Sequence, residues 1–106
     1  MHFLVHSRAT EAAAHAGPDD ELNERHWSYM DRFADGMVAR GPTLLPDRET
    51  WTGSMHVVEL PSSGSATSFV EDEPYSMAGL FESHRTWRFT NLLGGTMWEH
   101  LGTGQD

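Results

Sequence analysis

Residues 17–42 read GPDDELNERHWSYMDRFADGMVARGP, and the fold follows from how this stretch is parsed. Its pattern predicts a helix over Pro18 to Ala34. Pro18 suits a first helical position, and Asp19, Asp20 and Glu21 put negative charge at the positive end of the helix dipole. Gly36 is placed to close the helix in a left-handed conformation. Between these signals Leu22, His26, Tyr29, Met30 and Phe33 recur at spacings of three and four, which is one face of an amphipathic helix. His26 sits mid-stripe, where a leucine would be ordinary. After the helix, Met37 to Leu45 reads as a strand, and its Gly41-Pro42 pair requires a sheet edge or a bulge.

The rest of the chain extends outward from this unit. His2 to Arg8 reads as a first strand. Thr10 to Gly17 is an alanine-rich connector, cut off from the helix by Gly17-Pro18. Pro46, Asp47 and Arg48 make a turn, and Trp51 to Leu60 has the β-branched and aromatic content of a third strand. Pro61 to Ser65 is a loop. Ala66 to Glu73 is long enough for a short second helix, closed because the residue before Pro74 disfavours helix. Tyr75 to Leu80 is rich in turn residues, and Phe81 to Phe89 is a fourth strand.

The order βαββαβ predicts an α+β domain of the ferredoxin-like plan: a four-stranded antiparallel sheet with two helices on one face. Residues 91–106 are expected to form a C-terminal extension on the same subunit or a partner, with Leu92, Leu93, Met97 and Trp98 as its apolar contacts. Two helices leave one sheet face bare, so a homodimer through that face is expected, of the dimeric α/β-barrel type. By apolarity, Phe3 and Val5, Met55 and Val57, and Trp87 and Phe89 should meet the helices. His6, His56 and His84 would then share the other face on adjacent strands.

Composition excludes several classes of function. The 106 residues suit one domain and hold no cysteine, so disulfides, thiol nucleophiles and thiolate metal sites are ruled out. All seven basic residues are arginine. Without lysine there is no Schiff-base chemistry and no P-loop. A net charge of -9 with scattered arginines opposes binding to nucleic acid or an anionic membrane. The opening MHFLVHSRAT lacks the regions of a signal peptide, and a cytoplasmic location is expected. The seven histidines are the main chemical resource.

Four pieces, in order, resemble the YCII-like (YciI-type) domain family over roughly residues 1–90. They are the opening strand HFLVHSR, the helix histidine His26 followed by the Gly41-Pro42 strand, the pair Gly53-Ser54, and EPYSMAGLFE, which is similar to the family's DPY-x-x-AGLFE segment. The resemblance implies a dimeric ferredoxin-like fold and an active site built on a His–Asp pair. It also implies a relative that dehydrochlorinates a chlorinated hydroxyquinol, and a phosphate-accepting histidine has been considered for the family. This chain departs from the pattern at Glu73, which stands where the family has aspartate. The carboxylate is kept, with a reach longer by one methylene.

The candidate catalytic residues are therefore His26 with Glu73 or Asp35. A carboxylate beside a sheltered imidazole holds one tautomer for acid/base work. Asp35 lies nine residues beyond His26, about 2.5 turns and so nearly on the opposite side. Glu73 can approach through tertiary packing. Ser54 and Tyr75 are candidates for orienting a substrate oxygen. Metal binding by His6, His56 and His84 is disfavoured, since no ligand spacing supports it. The reading is a cofactor-independent lyase or isomerase acting on a small, aromatic or hydroxylated molecule. The alternative is a non-catalytic dimer that binds a small metabolite or is an accessory domain of a larger assembly. Phosphoryl acceptance on His26 is disfavoured by the absence of an arginine cluster.

Overall fold

A computed structural model of the chain describes residues 1–92 and 96. In chain order the elements are β1 (His2–Ala9), α1 (Glu11–Ala16), α2 (Asp20–Asp31), a 3-10 turn (Ala34–Gly36), β2 (Met37–Leu44), β3 (Trp51–Glu59), α3 (Ser63–Glu71), α4 (Pro74–Met77) and β4 (Phe81–Phe89). The sheet order is β2-β3-β1-β4 and every pairing is antiparallel. This is the expected α+β, βαββαβ ferredoxin-like arrangement, with short helices α1 and α4 added. No helix among the described residues is long and apolar enough to cross a membrane. Leu93, Met97 and Trp98 of the expected extension lie outside the described residues.

Local chemistry explains the boundaries. Thr10 caps α1 by accepting from the Ala13 amide at 3.1 Å, and Gly17 ends it at φ 67°. The connector is thus a helix of its own, broken from α2 where Gly17-Pro18 stands. Asp19, not Pro18, begins α2: its side chain accepts from the Leu22 amide at 2.8 Å. α2 ends three residues earlier than expected, and Gly36 does not take the left-handed conformation. Gly36 is small for another reason. A Cβ there would stand 2.7 Å from the Glu59 carbonyl oxygen. α3 starts at Ser63 because Ser62 caps the Ser65 amide, and it stops before Glu73.

The core lies between one sheet face and α2 with α3. Leu22, His26, Tyr29 and Met30 are the buried stripe of α2. Tyr29 and Met30 join Phe3, Val5, Val58, Leu60, Ala66, Phe69 and Val70 in one cluster, with Phe33 packed against it. Each large apolar side chain so buried contributes about 1.5–3 kcal/mol.

Two strands are phased opposite to the apolarity reading. His56 and Thr86 both pair with Val5, and facing residues in antiparallel strands share a side. Ser54, His56 and Val58 are therefore buried under the helices, while Met55 and Trp87 stand exposed on the other face. The cause is that both faces are apolar, so hydrophobicity could not choose between them. The slip also splits the histidine trio. His6 pairs with Met55 and Arg85 on the open face, while His56 and His84 lie on the helix side. No group of three or more metal-binding side chains is assembled among the described residues.

Gly41-Pro42 sits on edge strand β2, as its chemistry requires, with register shifts on either side of it at Met37/Ala39 and Thr43/Leu44. Gly53 on β3 has φ 153°, and a Cβ there would lie 2.0 Å from the Ser7 carbonyl oxygen. The close approach of β3 to β1 beneath the cleft thus depends on a missing side chain. Gly53→Ala is expected to lower unfolding free energy by roughly 3 kcal/mol or more, read from urea denaturation. An unchanged midpoint would contradict the close approach.

Candidate functional site

The site begins with Pro74. A proline forces the residue before it out of helical geometry, and Glu73 is accordingly extended at φ -68°, ψ 131°. Glu73 therefore leaves α3 and becomes the N-cap of α4. One carboxylate oxygen, Oε2, accepts from the Ser76 amide at 3.1 Å. The other, Oε1, bonds Nδ1 of His26 across the core. Both residues are buried, at 8% exposure for His26 and 4% for Glu73. His26 Nδ1 is then the protonated nitrogen of the neutral ring, because a carboxylate only accepts. Nε2 has no partner among the described residues.

Tyr75 packs its ring flat on that of His26, with centroids 4.0 Å apart and planes 6° from parallel. Its hydroxyl donates to Asn23 Oδ1 on the same face of α2. Burial first, and then the Glu73 charge, pushes the phenol up to about 12, so it stays a neutral donor. The imidazole is thus fixed at its nitrogen by Glu73 and across its plane by Tyr75. Trp51 and Phe81 stand against Tyr75, each at 6.1 Å between centroids.

A cleft of about 360 Å³ opens beside His26. Asn23 and Trp27 of α2, Arg40 and Pro42 of β2, Trp51, Ser54 and His56 of β3, and Tyr75 of α4 line it together with His26. Trp27 is 54% exposed and forms part of the rim. Trp27, Trp51 and Tyr75 give it aromatic walls, among which Asn23, His26, Arg40, Ser54 and His56 place polar groups, as suits a small flat ligand with polar substituents.

The sequence-derived candidates separate clearly. His26, Ser54 and Tyr75 line the cleft, and Glu73 lies directly behind His26. Asp35 is not brought to the site: it is exposed in the 3-10 turn after α2. Helical phase had already set it opposite His26. Tyr75 faces the site with its ring, its hydroxyl being engaged by Asn23. Missed by the sequence reading were Asn23, Trp27, Arg40, Trp51 and His56. Asn23 sits three residues before His26 and was findable from helical spacing. Trp27 adjoins His26 on α2, while Arg40, Trp51 and His56 depend on strand register.

His56 is the second imidazole of the site. It is 5% exposed, with its ring centroid 6.1 Å from that of His26 and 5.6 Å from that of Phe69, the His56 and Phe69 rings being nearly perpendicular. Burial first, and then the neighbouring His26, lowers it to about 4, against the opposing pull of Glu73. His84 is also lowered by burial, and Ser7 Oγ meets its Nδ1 at 2.8 Å.

Comparison with known proteins places these residues in context. The model of the YCII-related domain matches residues 1–90. No curated protein matches the chain. Among solved structures, it is similar to 5-chloro-2-hydroxyhydroquinone dehydrochlorinase (TftG) from Burkholderia phenoliruptrix AC1100, in complex with 2,5-dihydroxybenzoquinone. The likeness has a TM-score of 0.74 at 26% identity and covers 86% of this chain and 95% of that one.

The lowered His56 makes a stability test. Its folded-state value lies below the unfolded one near 6.5, so the unfolded chain takes the proton first as pH falls. The stability that His56 contributes is complete above about pH 6.5 and is lost as pH drops toward 4. Over that window the loss is roughly 3 kcal/mol. His56→Gln is expected to flatten the pH dependence of unfolding free energy between pH 6.5 and 4 relative to the parent. Identical slopes would show that His56 is not held neutral.

Proposed function

The chain belongs to the YCII-related family, and on that premise we propose that it is a small cofactor-independent acid/base enzyme acting on a hydroxylated aromatic or quinonoid ring, of lyase or isomerase type. The observation that carries this reading is the buried His26–Glu73 pair at the edge of an aromatic-walled cleft. Glu73 fixes the proton on Nδ1, which leaves Nε2 as the basic nitrogen. Nε2 takes a proton from a hydroxyl or ring carbon of the substrate. The electron pair left behind shifts into the ring. The proton then returns to another ring atom; where that atom carries a leaving group, the group departs with its bonding pair as a second hydroxyl proton passes to Nε2 and on to solvent. Glu73 stabilises the imidazolium that forms between the two steps.

The aromatic walls supply the affinity for a flat ring, and Ser54 supplies a hydroxyl on the cleft floor. The solved relative supports the class, since its name describes loss of hydrogen chloride from a chlorinated, hydroxylated ring. Exposed Trp87 and Met55, with Leu4 and Val57 on neighbouring strands of the open sheet face, support assembly as a homodimer through that face.

His26→Asn is expected to lower kcat/KM about 10²- to 10⁴-fold on chlorinated hydroxyhydroquinones while the protein stays folded. Glu73→Gln, which can donate to Nδ1 and so favours the wrong tautomer, is expected to cost about 10²-fold or more. Release of halide, with the accompanying change in absorbance, reports turnover. Full turnover by folded His26→Asn would sink the acid/base reading in favour of a binding protein. Trp87→Glu is expected to shift the protein to monomer in analytical ultracentrifugation, and an unaltered sedimentation coefficient would contradict the sheet-face dimer.

A further inference from the structure

His56 takes no part in the chemistry just described, yet it is 95% withdrawn from solvent at the cleft wall. A histidine buried for structure normally bonds a backbone carbonyl or a neighbouring side chain. Here neither ring nitrogen has a hydrogen-bond partner among the described residues. Phe69 packs against the ring, and β3 holds it rigidly between β1 and β2. Arg40 is its direct register partner on β2 and lines the same cleft. We propose that His56 is a second functional residue of this site, a neutral imidazole whose N–H, with Arg40 beside it, receives the substrate oxygen on which negative charge develops when His26 takes the proton.

The spacing suits that role. With the two ring centroids 6.1 Å apart, hydrogen bonds of about 2.8 Å from each imidazole reach the same oxygen or two neighbouring ones. A neutral ring is the right donor, because it polarises the oxygen without giving up its proton. The groups that act on it favour this state: burial, His26 and Arg40 oppose a second proton, and Glu73 alone favours one. The electron pair released by the proton transfer rests on this oxygen as an oxyanion. It flows back as the ring is reprotonated or the leaving group departs, so no oxidant or reductant is required. The substrate class narrows accordingly. The ring must carry a hydroxyl or carbonyl oxygen at, or next to, the atom that loses the proton.

The inference rests on the acid/base reading of His26, and binding separates the two. The probe is 2,5-dihydroxybenzoquinone, titrated by absorbance and calorimetry into the parent protein, His26→Asn, His56→Phe and His56→Gln. His56→Phe is expected to weaken binding about 10- to 100-fold, and His56→Gln, which keeps an N–H donor, only about threefold. His26→Asn loses turnover and keeps most of the affinity. Unchanged affinity in His56→Phe, equal losses in both His56 variants, or no binding by the parent would overturn the role of His56. Turnover retained in His26→Asn bears on the acid/base reading alone. Should His56→Phe fail to fold, ¹⁵N resonances of the His56 ring in the parent decide the matter. They are expected to move when the probe binds, and unmoved resonances would overturn the proposal.

Discussion

The bond between Glu73 and His26 joins two parts of the chain 47 residues apart and sets the geometry of everything around the cleft. It exists because Pro74 denies Glu73 a helical conformation. The carboxylate is thereby turned out of α3, made to cap α4, and aimed at α2. One oxygen serves the backbone and the other serves the imidazole, so both are satisfied and the side chain has no freedom left. Tyr75, the second residue of α4, is delivered to the His26 ring by the same turn. Gly79, at φ 78°, then lets the chain reverse into β4.

Energetics bear on why such a pair is there. Burying two polar, ionisable groups costs solvation that their mutual attraction only offsets when every lone pair is satisfied. Apolar residues of equal volume commonly serve stability as well or better. Stability is therefore a weak reason for a His–Glu pair in the core, and control of a tautomer at the edge of a cleft is the role we propose for it. His56 presents the same question, since its ring is buried while its nitrogens, without a described partner, keep access to solvent. The two imidazoles differ in environment: one is held by a carboxylate, the other by an apolar ring. Pairs of like groups held in unlike surroundings are how a single site divides acid and base work.

Much of the architecture was legible in the chain. The α2 stripe, the Gly17-Pro18 break, the edge position of Gly41-Pro42 and the strand order follow from periodicity and backbone chemistry, which are local. His26 stood out because a titratable ring interrupted an apolar face, and helical phase alone set Asp35, still a candidate, nearly on the opposite side of the helix. EPYSMAGLFE carried the family resemblance, and Glu73 within it keeps the carboxylate that the resemblance requires.

What the sequence determined by itself was the four strands and two longer helices, their order and the imidazole at the centre of the site, because helix periodicity, capping and proline geometry act over a few residues. Tertiary structure decided which side of each strand is inside. Period-two alternation marks two faces but does not rank them when both are apolar, and here Met55 and Trp87 competed with Ser54 and His56 for the interior. The β1 register settled it by setting His56 opposite Val5. That single parity removed the imagined row of three histidines and put His56 beside His26. The partner of His26 was likewise a tertiary outcome, because a side chain 47 residues away is chosen by packing and not by spacing.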